Sequence, residues 1–198
     1  MESAAQVIGS AVVQADKSAT LYLNSWHTPF TDSVWMFFSN KWVWVALYAL
    51  ILVYLFVRLG WKRALLAVLA IGLTIVCCDQ LANVFKHWIA RPRPSHDSWM
   101  LSQGLHLPGD AGGLYGFFSA HAANAFGFAA ASLGAFRSDE RHSYRLYGWA
   151  IMIWALLVSL SRIFVGRHFL GDILVGALVG LLIGWLFALL YRRLASRI

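Results

Sequence analysis

Near the C-terminal end of the chain, Ser161-Arg162 is followed after five residues by His168 and after three more by Asp172. His168 and Asp172 are four apart, so a helix beginning near residue 167 sets both on one face, a turn apart. Asp172 can then accept a hydrogen bond from one imidazole nitrogen and fix the tautomer. The other nitrogen is left free as a nucleophile. Arg162 offers a planar fork that suits a phosphate. A second group, Phe118-Ser119-Ala120-His121, opens an apolar run. Helix N-termini present unpaired N–H groups and the positive end of the dipole, which makes an anion site. The Ser119 hydroxyl and the N–H groups nearby suit phosphate oxygens, and His121 is placed to donate a proton to a leaving group. A third group, KHWIARPRP at 86–94, supplies Lys86 and Arg93, with Arg91 as a further cation. Pro92 and Pro94 end the helix and stiffen its exit. Cations here would neutralise charge on the equatorial oxygens in a phosphoryl transfer.

Such groups need elements to hold them, and composition says which. Of 198 residues, 60% are hydrophobic and 13% charged, with a mean hydropathy of +0.63. A soluble domain is nearer half apolar and a quarter charged. The expectation is an all-α, polytopic transmembrane helix bundle forming a single domain over 1–198. Spans need about 20 mostly apolar residues. Five fit: roughly 42–59, 64–86, 117–136, 146–164 and 170–191. Residues 1–41 form an N-terminal segment of different character. Its stretch PFTDSVWMFFSN (29–40) reads as a short amphipathic helix in the membrane interface. A sixth, imperfect span in 1–41 stays open. The ten tryptophans fit the class, since such rings favour the interface. Adjacent Cys77 and Cys78 read as small apolar fillers. Residues 1–25 lack the pattern of a secretory signal.

Orientation follows from Lys and Arg. Arg58, Lys62, Arg63, Arg137, Arg141, Arg145, Arg192, Arg193 and Arg197 fall on one side. That side is expected to be cytoplasmic, which places 86–116 and 162–169 together on the external face. The net charge of +7 therefore speaks of topology and an anionic substrate, not of nucleic acid. Charged groups near a membrane core cost about 2.5–3.5 kcal/mol each on insertion scales. His168, Asp172, His121, Arg162, Lys86 and Arg93, converging from three segments, are hard to explain without an anionic ligand.

Lys86-x6-Arg93-Pro94, Phe118-Ser119-Ala120-His121 and Ser161-Arg162-x5-His168-x3-Asp172 together resemble the three-part signature of the type 2 phosphatidic acid phosphatase (PAP2) superfamily, K-x6-RP, PSGH and SR-x5-H-x3-D. The resemblance covers roughly 80–180. It implies His168 as nucleophile forming a phosphohistidine, Asp172 as its orienter, and His121 as general acid and then base. It implies a phosphate held by Lys86, Arg93, Ser119, Arg162 and the N–H of Ala120, with no metal and no cofactor. Phe118 stands where the motif has proline and Ala120 where it has glycine. An alanine there is a concern if the loop needs a positive φ.

The remaining residues read less sharply. Arg91 and Arg167 are either interfacial anchors or ligands. Asp79, Asn83 and Lys86 share a face of the second span, with Asp79 and Asn83 as a supporting network. His87 reads as a surface histidine and His106 as solvated in a glycine-rich loop. Gly176, Gly180 and Gly184 read as packing within the bundle, and a monomer is favoured. The 95–116 loop is expected to border the pocket and help choose the head group.

By resemblance, the expectation is a bacterial integral-membrane lipid phosphatase in the cytoplasmic (inner) membrane, with its site facing the periplasm. Its partners are membrane lipids and a lipid phosphate substrate. Undecaprenyl pyrophosphate or a broad range of lipid phosphates leads, followed by lipid A 1-phosphate and phosphatidylglycerophosphate. The rival from another class is a transporter that binds phospholipid head groups without cleaving them. It would need the cations but not the His168–Asp172 pair. A soluble vanadium-dependent oxidant is opposed by the hydropathy.

Overall fold

The computed structural model describes residues 4–198, with side chains described from residue 9 onward. Its helices are α1 (Ala4–Asn24), α2 (Pro29–Ser39), α3 (Val45–Leu59), α4 (Trp61–Ile89), α5 (Ser98–Ser102), α6 (Ala120–Phe136), α7 (Arg145–Phe164) and α8 (Leu170–Ala195). Among the described residues, four segments are long and apolar enough to cross a membrane: Lys41–Leu59, Trp61–Ile89, Arg145–Phe164 and Leu170–Ala195. They match four of the five expected spans.

The fifth, α6, has 17 residues and is about 25 Å long at 1.5 Å per residue. It sits at the centre and packs on α8, α4 and α7. Its alanines and glycines explain both facts. Small side chains let neighbours approach closely, and a buried helix needs no broad apolar surface facing lipid. Gly176, Gly180 and Gly184 of α8 lie against the backbone carbonyls of Ser119, Ala123 and Gly127, where a Cβ at any of the three would collide. These glycines therefore serve packing inside the bundle, as expected. Large apolar side chains instead point outward, among them Leu50 and Val57 on α3, Leu69 and Val76 on α4, and Leu178 and Trp185 on α8. Exposed apolar surface on this scale suits a lipid surround.

The N-terminal segment holds two helices. The short α2 matches the expected amphipathic helix. Pro29 takes its first position, and Thr28 and Thr31 cap each other's backbone N–H at 3.1 and 2.7 Å. Where a sixth span in 1–41 stayed open, the structure has the 21-residue α1, which is not among the four described segments long and apolar enough to span. It packs on α7 and α8, with Thr20 and Asn24 buried.

The connections decide which residues meet. Gly60, at φ +74°, joins α3 tightly to α4. Residues 137–144 join α6 to α7 at the same end. The 90–119 connection and the 165–169 turn lie at the other end, so the three polar groups are gathered there.

Candidate active site

Asp172 sits in the first turn of α8 and is completely buried. A carboxylate there can accept from the helix's own free N–H groups. Its Oδ2 accepts from Phe169 N at 3.1 Å and lies 3.4 Å from His168 Nδ1. Its Oδ1 accepts from Arg91 Nη1 at 2.8 Å. With Nδ1 turned toward Asp172, Nε2 of His168 is the nitrogen left for chemistry. His168 lies in the turn before α8 and is 2% exposed. Burial pushes its imidazole down to about 4, against the opposing pull of Asp172. A neutral ring keeps the lone pair that a nucleophile needs.

His168 faces a cavity of about 520 Å³ shared with Lys86, Arg93, Arg162, Arg167 and His121. Lys41 adds a fifth cation to the wall, where Asp79 is the only carboxylate among the described residues. Arg93 is aimed by its backbone, because its N–H donates to Leu114 O at 2.9 Å and its Nε to Tyr115 O at 3.0 Å. Burial pushes its guanidinium down from the ordinary value, and the neighbouring Arg167 adds to this. Burial does the same to Arg167, which pairs with Asp110. Arg162 is 5% exposed, donates from Nη1 to Ser39 Oγ, and keeps a buried Nε with no hydrogen-bond partner. Cations crowded this way, at the cost of desolvation and mutual repulsion, make a receptor for a multiply charged anion.

Most of the sequence-derived residues meet here, in two layers. Lys86, Arg93, Ala120, His121, Arg162, Arg167, His168 and Asp79 line the cavity. Asp172 and Arg91 stand behind His168. Asn83 lies between Asp79 and Lys86, with contacts of 3.5 Å to each. Ser119 is placed differently from expectation. It is fully buried, and its hydroxyl accepts from Ala122 N at 3.4 Å as the cap of α6, off the cavity wall. Its N–H donates to Asp172 O at 3.0 Å, so it ties α6 to α8. Ala120 is the first residue of α6 and has no positive φ, so its methyl meets no conformational bar.

Sequence reasoning missed Lys41, Asn124 and Asp16. Asn124 lines the cavity with a buried, unpartnered Oδ1. Its position three residues after His121 on one helix was a usable signal. Asp16 of α1 accepts from Arg91 Nη2 at 2.7 Å and from Gly171 N at 2.8 Å. It thereby holds the arginine that holds Asp172, and nothing in the local sequence announces it. Arg91 also lies over the Phe169 ring, 3.9 Å from its centroid. It is therefore a partner of the turn that carries His168, neither a surface anchor nor a lining residue.

Two curated relatives are similar over nearly the whole chain. A lipid A 4'-phosphatase of Bacteroides thetaiotaomicron is 37% identical over 185 residues, covering 92% of this chain and 80% of the relative. A lipid A 4'-phosphatase of Porphyromonas gingivalis is 34% identical, covering 94% and 77%. Among solved structures, the transmembrane PAP2-type phosphatidylglycerolphosphate phosphatase of Bacillus subtilis superposes with a TM-score of 0.66 at 22% identity, covering 95% of this chain and 88% of that one. Aquifex aeolicus LpxE gives a TM-score of 0.62 at 25% identity, covering 88% and 94%. The match to the PAP2 superfamily itself runs over residues 63–196. The chain belongs to the PAP2 superfamily and is a membrane-embedded phosphatase, a phosphoric ester hydrolase.

Proposed function

We propose that this protein removes the 4'-phosphate of lipid A, or of a closely similar phosphorylated glycolipid, through a phosphohistidine on His168. The observation that carries the reaction is the buried His168 on the wall of a five-cation cavity, with buried Asp172 behind it. The two lipid A 4'-phosphatase relatives support the substrate. Neither relative's name points to undecaprenyl pyrophosphate, the leading expectation from sequence.

The steps use only groups on the wall and behind it. Lys86, Arg93 and Arg162 hold the phosphate oxygens, and the Ala120 N–H at the start of α6 adds a donor. Nε2 of His168 attacks phosphorus, and the bond from phosphorus to the sugar oxygen breaks. His121 gives that oxygen a proton as it leaves. Asp172 stabilises the charge that forms on the imidazole. A water then attacks phosphorus and loses its proton to His121, the bond from phosphorus to Nε2 breaks to regenerate His168, and inorganic phosphate leaves. The site works from the periplasmic face of the inner membrane, with the arginine-rich end in the cytoplasm, as the positive-inside rule directs.

The test is phosphate release by detergent-purified protein, with EDTA present, from lipid A, undecaprenyl pyrophosphate, phosphatidylglycerophosphate and phosphatidic acid. Mass spectrometry of the lipid A product tells the 4' from the 1 position. Preferred loss of the 4'-phosphate, absent in His168→Ala, supports the proposal. Preferred cleavage of undecaprenyl pyrophosphate would move the substrate and keep the mechanism. Binding without release from any lipid would favour a transport protein.

A further inference from the structure

Beside the phosphate cavity, three side chains from three segments meet around α2. His27 lies in the α1–α2 turn, Asp32 in the first turn of α2, and His106 in the 90–119 connection. His106 Nε2 is 2.9 Å from Asp32 Oδ2. The His27 and His106 rings are stacked with centroids 3.6 Å apart and planes 6° from parallel. One ligand atom from each residue lies within 4.8 Å of the others. The mount is firm: Asn24 is 1% exposed and grips the His106 backbone from both sides. Its Oδ1 accepts from His106 N at 2.8 Å, and its Nδ2 donates to His106 O at 3.1 Å and Ile163 O at 3.0 Å.

An ion pair between Asp32 and His106 accounts for part of this. It leaves Asp32 Oδ1 buried with no hydrogen-bond partner, which is costly. It also gives no reason for His27 to stack on His106. Two imidazoles beside a carboxylate are the donor set of a borderline-soft divalent ion. Zinc takes nitrogen at about 2.0–2.1 Å and carboxylate oxygen at about 2.0–2.2 Å, with neighbouring ligand atoms about 3.3 Å apart in a tetrahedron. Turning the exposed His27 ring and drawing the three together would reach that arrangement. Calcium and magnesium prefer sets made of oxygen alone.

We propose that His27, Asp32 and His106 form a binding site for a divalent first-row transition-metal ion, with zinc the best fit. The site is separate from the phosphate cavity, and its role is structural. The ion fastens α2, which borders the cavity through Ser39, to the 90–119 connection. Through Asn24 it also fastens α2 to the end of α7 that carries Arg162.

The probe is zinc itself, added to the full-length, tag-free protein in detergent after chelator treatment. Bound metal is read by equilibrium dialysis, and unfolding temperature is read alongside it. One zinc per chain, saturating at micromolar metal with a raised Tm, is expected. His27→Ala, Asp32→Asn and His106→Ala each weaken binding by more than about tenfold and remove the rise in Tm. His87→Ala keeps both. His27→Ala is the decisive variant: its side chain is exposed, and retained phosphate release checks that it folds. Absence of saturable zinc binding by the wild type would overturn the proposal. So would binding that survives His27→Ala, or equal binding of magnesium.

Discussion

The two ends of this bundle carry similar numbers of cations and do different things with them. At one end Lys41, Lys86, Arg93, Arg162 and Arg167 line a cavity of about 520 Å³. At the other, Arg58, Arg63, Arg137, Arg141 and Arg192 line one of about 610 Å³. The second is the larger and includes Asp139 and Glu140 in its wall. Asp139 accepts from Arg58 Nη2 at 3.4 Å and from Tyr144 Oη at 2.6 Å. The first has a buried imidazole braced by a buried carboxylate, and an arginine Nε left without a partner. Positive charge alone therefore does not mark the chemistry. The marks are a buried imidazole whose Nδ1 faces a buried carboxylate and donors held back from neutralising partners. The arginine-rich end suits an interface with water and anionic lipid, where positive charge sets orientation.

The sharpest way to separate the ends is to remove the proposed nucleophile, His168. His168→Ala should lower kcat by roughly 10⁴-fold or more, as loss of a covalent catalyst does elsewhere. A phosphohistidine trapped by rapid acid quench in wild type should vanish with it. Next in size is an arginine exchange at each end. Arg162→Ala should cost about 10²–10³-fold, the scale for one preorganised donor to a developing oxyanion. Arg162→Lys should recover little, because a point charge does not replace a fork. Arg137→Ala at the other end should change kcat/KM by less than about twofold, since it touches no reacting group. Equal losses at both ends, with protein still folded, would mean that bulk charge does the work.

A smaller effect tests the layer behind His168. Arg91 bridges Asp16 of α1 and Asp172 of α8. Arg91→Met should lower kcat roughly 10–100-fold with KM little changed, because the loss is one of aim and not of substrate contact. Arg91→Lys should restore part of it, and Asp16→Asn should show a weaker loss of the same kind. A change confined to KM would place Arg91 in substrate binding instead.

How far sequence could go is visible in these same residues. His168 and Asp172 were found because their interaction is local, four residues apart on a helix start. The spans were found because lipid demands long apolar runs. Asp16 and Arg91 are separated by 75 residues in sequence. His106 reads as solvated in isolation, and only the packing of α1, α2 and the long connection brings it to Asp32 and His27. The Ser119 hydroxyl could be assigned to phosphate or to helix capping with equal local logic. The choice depends on how deeply α8 glycines let α6 sink, which is a tertiary fact. Likewise α6 reads as a full span by hydropathy, while its buried position lets it be shorter.

The smallest effect belongs to the arginine-rich end and concerns acid stability. The hydrogen bond from Tyr144 is the main cause that holds the Asp139 carboxyl down to about 2, with Arg141 N and His142 helping against burial. A carboxylate depressed from 3.8 stabilises the fold fully above that value and loses its contribution as pH falls toward 2. Tyr144→Phe keeps the ring, which stacks on Phe136 at 5.1 Å, and deletes the donor. Asp139 should then titrate nearer its ordinary value. Thermal unfolding should begin a little lower at pH 7, and the fall in Tm between pH 4 and pH 2 should be shallower than in wild type. Phosphate release should be unchanged, because this loop lies at the far end of the bundle from His168. If Tyr144→Phe lowered kcat instead, the two ends would be coupled through α7, whose first turn follows Tyr144 and whose last turn carries Arg162. The division of labour between them would then fail.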